Sequence, residues 1–86
     1  MPAISRFFGI VISMNYNDHP PPHFHVRYAG QRALMGIATL GVLQGQLSPR
    51  VLGLVLEWAA QHQAELAANW DLAVRQQPLQ PIQPLE

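Results

Sequence analysis

The chain has no cysteine, so neither a disulfide framework nor a thiolate metal site can form. It has no lysine either. All five basic residues are arginines: Arg6, Arg27, Arg32, Arg50 and Arg75. Charge of both signs is scarce, at 12% of residues, and the formal net charge at pH 7 is zero. No whole-molecule field therefore draws the chain to nucleic acid. Arginine acts locally instead, gripping a phosphate or carboxylate through two donors at once. Long apolar runs are also lacking. None approaches the roughly 20 residues that span a bilayer, and the N-terminus shows no basic region followed by an apolar stretch and a cleavage site. A cytoplasmic protein without membrane contact is the expectation. No glycine-rich phosphate loop, serine or cysteine nucleophile arrangement or paired-carboxylate motif occurs.

What is present is apolar and short. With 86 residues, 49% of them hydrophobic, the chain has room for one core, and its apolar content argues against disorder. So little charge leaves few repulsions between copies, so a homo-oligomer or a constant small protein partner is expected.

The pattern predicts an α+β fold: a small antiparallel sheet of three or four strands packed against a long C-terminal helix. Phe7 to Met14 is β-branched and aromatic, a strand candidate. Asn15 to Asp18 is turn chemistry. His23 to Tyr28 alternates as a second strand, Ala29-Gly30-Gln31 is a short turn, and Arg32 to Ile37 is a third strand. Thr39 to Leu43 is a short fourth candidate. Ser48-Pro49 is a helix start, with a hydroxyl at the N-cap and proline at the first helical position. From there to about Gln76 the residues Val51, Val55, Trp58, His62, Leu66 and Trp70 share one helical face. An unbroken helix of that span would run roughly 40 Å. A bend near Gln61 to Gln63, or packing of the far half on another subunit around Leu66, Trp70 and Val74, would accommodate it. Residues 1–77 are expected to form one domain. Residues 78–86, with Pro78, Pro81 and Pro84, are expected to form an extended tail.

Three of the four histidines fall within seven positions, in Asp18-His19-Pro20-Pro21-Pro22-His23-Phe24-His25. The prolines keep the approach to the strand stiff. On a strand His23 and His25 share a face and Phe24 takes the other. Three readings of the cluster stay open. In the first, His23, His25, His19 and Asp18 ligate a divalent transition metal such as zinc or nickel. In the second, His23 and His25 act as base and acid of a metal-independent ribonuclease, with Arg27 clamping phosphate and Tyr16 adding a hydroxyl. In the third, the histidines cap backbone groups and stack on neighbouring rings. His62 reads as a core or boundary histidine, and Trp58 and Trp70 as core or interface anchors.

Taken together, Pro2 to Ile12, then Asn17-Asp18-His19-Pro20-Pro21-Pro22-His23-Phe24-His25-Val26, then Glu57-Trp58 and Asn69-Trp70 resemble the small bacterial domain of unknown function number 4160. The resemblance covers nearly the whole chain and places interest on Asp18, His19, His23, Phe24 and His25. It implies a partner: members are similar to one component of two-gene, toxin–antitoxin-like modules. A small protein partner, with RNA or DNA as a further ligand, is what that arrangement implies. It carries over no catalytic residue.

Overall fold

The first apolar run makes two strands, not one. In the computed structural model, which describes residues 2–86, β1 (Ala3–Phe7) turns back through Phe8-Gly9 into β2 (Ile10–Ser13). Phe8 and Gly9 both take positive φ, 51° and 80°. Two such residues match the twist of a tight hairpin. Glycine accepts that conformation freely, and Phe8 projects into solvent at 56% exposure. β3 (His23–Tyr28) and β4 (Gln31–Gly36) follow close to the expected bounds. The last strand lies further along than the sequence implies. Thr39 to Gly41 are not strand: Leu40 donates to the Gly36 carbonyl and Gly36 to the Gly41 carbonyl. β5 is Val42–Gln46.

The sheet is therefore a five-stranded antiparallel meander in the order β1-β2-β3-β4-β5. Ile10, Ile12, Phe24, Val26, Ala33 and Met35 line its buried face. The alternate residues Val11, Ser13, His25, Arg27, Arg32 and Leu34 belong to the opposite face, by the period of two. Gly45 lets β5 close on β4. Its φ is +85°, and a Cβ there would meet the Arg32 carbonyl oxygen at 2.2 Å.

The helix is broken where a bend was expected. α1 (Pro49–Gln61) and α2 (Gln63–Val74) are separated by His62, whose φ of −130° leaves the helical region. Ser48 sits at the N-cap of α1, although its side chain makes no capping bond. α1 lays Val51, Val55 and Trp58 on the buried sheet face, with the Trp58 ring 5.3 Å from Phe7 and 6.2 Å from Phe24. The break lets α2 turn back on its own chain. Leu66 is fully buried and Trp70 packs against the core, leaving Val74 as the exposed member of the surface expected to meet another subunit.

Residues 78–86 carry no helix or strand, yet they are fastened down. Ile82 is buried and donates its N–H to the Ile4 carbonyl at 2.8 Å, so the tail covers the outer edge of β1. The Trp58 indole donates to the Gln83 carbonyl at 2.8 Å. The buried Asn69 amide donates to the Gln80 carbonyl and accepts from its N–H, each at 2.8 Å. A polyproline-like segment has no internal hydrogen bonds, so its free backbone groups are available to these side chains.

Candidate metal centre

The loop between β2 and β3 is pinned at several points. Asn17 donates its N–H to the Ala73 carbonyl at the end of α2, and Ile37 donates to the Pro22 carbonyl. The Pro20–Pro21 bond is cis. The loop delivers Asp18 to the start of β3, where His23 and His25 project from the same strand face with ring centroids 5.3 Å apart. Both rings turn their Nε2 atoms to one oxygen: Asp18 Oδ2 is 3.1 Å from His23 and 3.3 Å from His25. One ligand atom from each of the three side chains lies within 4.8 Å of the other two.

The surroundings hold the set in place. His23 is buried, and its ring packs 5.2 Å from Trp70 at a tilt of 51°. Its other nitrogen, Nδ1, is 2.8 Å from the Pro21 carbonyl oxygen. Asn15 Nδ2 lies 3.4 Å from both Asp18 Oδ2 and His25 Nε2. The His19 backbone N–H donates to Asp18 Oδ1 at 2.8 Å. Burial alone would raise the Asp18 pKa. The His19 N–H and the His25 and His23 contacts outweigh that and bring it down to about 2.

The donor inventory around His23 is informative. A carbonyl oxygen accepts only, so Nδ1 carries a proton toward Pro21. An ionised carboxylate also accepts only. Nε2 facing Asp18 therefore requires a second proton on the ring, or a cation between nitrogen and oxygen.

The expected site residues divide. Asp18, His23 and His25 come together. His19 takes part through its main chain, while the residue itself is exposed. Arg27 lies two residues beyond His25 on the same face, exposed, and with His25 it lines a cavity of about 290 Å³ shared with Ser13, Arg32, Leu34 and Gln44. Tyr16, 43% exposed, lies outside both the cluster and that cavity. His62 is half-buried at the helix break, with its ring 5.5 Å from Trp58 and its Nδ1 on Glu65. Sequence reasoning missed Asn15 and Trp70 as supports. Asn15 carried a signal, because an Asn three residues before an Asp in a turn reaches it readily. Trp70 carried none, since only the break at His62 brings α2 to His23.

The architecture and the cluster define a small α+β domain with an Asp-His-His centre at the end of its sheet. Residues 9–71 match the family model described as Domain of unknown function (DUF4160), and the chain belongs to that family. Neither the curated proteins nor the solved structures contain a match. No helix among the described residues is long and apolar enough to cross a membrane.

Proposed function

We propose that the protein binds one divalent first-row transition-metal ion, of the zinc or nickel type, through Asp18, His23 and His25. The observation that carries this reading is the convergence of the His23 and His25 Nε2 atoms on one Asp18 oxygen. Bonds of about 2.0–2.1 Å at angles between octahedral and tetrahedral put neighbouring ligand atoms about 2.9–3.4 Å apart. The contacts of Asp18 Oδ2 with the two Nε2 atoms, 3.1 and 3.3 Å, lie in that interval. The Pro21 carbonyl fixes the His23 ring through Nδ1, as partners of metal-bound imidazoles do. Three protein ligands leave a position for water or substrate, and His25 borders the cavity. Zinc added to metal-free protein, in competition with a chromogenic chelator, should bind at one ion per chain. Asp18→Asn and His25→Ala should weaken that binding at least about tenfold without loss of fold. Absence of binding, or binding indifferent to both substitutions, overturns the reading.

A second reading, a module that pairs with a small protein partner in a toxin–antitoxin-like system, is favoured by β5. Each residue from Val42 to Gln46 is exposed, Val42 at 42% and Leu43 at 49%. Among the described residues, no strand other than β4 pairs with β5. Such an edge supports strand addition by another chain. Sedimentation of the isolated protein tests whether a second copy of the chain takes that place. Association that Leu43→Lys abolishes supports self-pairing through this edge, and association unaffected by that change counts against it.

A further inference from the structure

Net charge conceals a separation of charge. The five strands contain three arginines and no Asp or Glu. Glu57, Glu65 and Asp71 lie on the helices, Glu86 at the end of the tail, and Asp18 in the β2–β3 loop. The strand arginines are also aligned. Arg6 pairs with Val11, Val11 with Arg27, and Arg27 with Arg32. Ser5 and Phe7, buried and paired with the core residues Ile12 and Ile10, flank Arg6, so Arg6 belongs to the uncovered face with the others. One row across four strands therefore presents three exposed guanidinium groups, spread over about 14 Å at the usual strand spacing.

The folded chain does not neutralise this row. Among the described residues the carboxylates in contact with basic side chains are Asp18, with His23 and His25, and Glu65, with His62, and no arginine takes part. Arg27 and Arg32 are directly opposite each other. Like charges in that position destabilise a sheet. An external polyanion would remove the repulsion. The cavity beside the row adds a second chemistry, since Leu34 offers apolar surface and the His25 imidazole a planar ring. A double helix hides its base faces. An unpaired strand presents them, and a charged track beside a planar or apolar surface is how single strands are held.

We propose that the uncovered sheet face binds single-stranded nucleic acid, with its phosphodiester backbone along Arg6, Arg27 and Arg32 and a base in the cavity of Leu34, His25 and Gln44. This rests on the charge pattern and the cavity; it shares His25 with the metal centre, but its test turns on arginines that the metal centre does not use.

The test is fluorescence anisotropy of the full chain with labelled twelve-nucleotide oligouridine and oligothymidine, and with a duplex of equal length. Both single strands should bind, and the duplex more weakly. Three phosphate contacts correspond to a log–log salt slope of about −2, an affinity loss of about 18-fold between 50 and 200 mM salt. The pair Arg27→Gln and Arg32→Gln should reduce affinity at 50 mM salt by more than tenfold and the slope to about −0.7. Arg50→Gln with Arg75→Gln makes the same change of net charge on the helical layer and should alter affinity less than twofold. No binding at 50 mM salt, tighter binding of the duplex, or equal losses in the two double variants overturns the proposal.

Discussion

The Asp18 Oδ2 atom lies 3.1 Å from His23 Nε2, on the opposite side of the imidazole from the Pro21 carbonyl oxygen at 2.8 Å from Nδ1. The ring thus bridges two acceptors. Its neutral form has a proton for one of them. Added ions should therefore stabilise the fold by occupying the second position. At free zinc one hundred times the dissociation constant, the gain is about 2.7 kcal/mol. Thermal melts should rise with zinc concentration for the wild type and rise less for His25→Ala.

Asp18 makes the metal-free protein less stable in acid. Its folded pKa of about 2 lies below the ordinary 3.8, so the unfolded chain binds the proton more tightly. The resulting stabilisation is full above about pH 4 and is lost as pH falls toward 2. Asp18→Asn should lower stability at neutral pH and flatten the difference between pH 4 and pH 2. Denaturant midpoints across that range measure it. A variant whose acid slope equals that of the wild type contradicts the assignment.

The tail should matter more to stability than its lack of regular structure implies. Ile82 is 4% exposed, and Ile82→Ala should cost about 2–4 kcal/mol through lost burial and the cavity left behind. Asn69→Ala should cost about 1 kcal/mol, because water reaches the exposed Gln80 backbone once its partner is gone. Chemical unfolding of the two variants gives both figures.

Gly45→Ala should detach β5. The added methyl group meets the Arg32 carbonyl oxygen at 2.2 Å, and the residue would have to hold a φ of +85°. Hydrogen exchange should show the Val42 to Gln46 amides losing protection while β2 and β3 keep theirs.

Much of the fold was legible because it rests on local signals. His23 to Tyr28 alternates, so β3 and the shared face of His23 and His25 followed from a period of two. Ser48-Pro49 marked the start of α1, and residues 61–63 marked its end. The Phe8-Gly9 turn was missed because the apolar residues run straight through it, although Gly9 was the available warning. β5 was placed too early because Gly36 and Gly41 close a loop through each other's backbone groups, which no residue pattern displays. At the site, Asp18, His23 and His25 were readable from their density along the chain. The substitution of a main-chain N–H for the His19 ring was not, since it depends on how the loop turns. The arginine row was hidden for a different reason. Arg6, Arg27 and Arg32 are far apart in sequence and align only through strand register.

X-ray absorption at the zinc edge of the loaded protein tests the metal centre most directly. The account predicts nitrogen and oxygen ligands at about 2.0–2.1 Å, two of them imidazoles, with one imidazole lost in His25→Ala. A spectrum fitted by oxygen ligands without imidazole scattering, or one unchanged in His25→Ala, would contradict it.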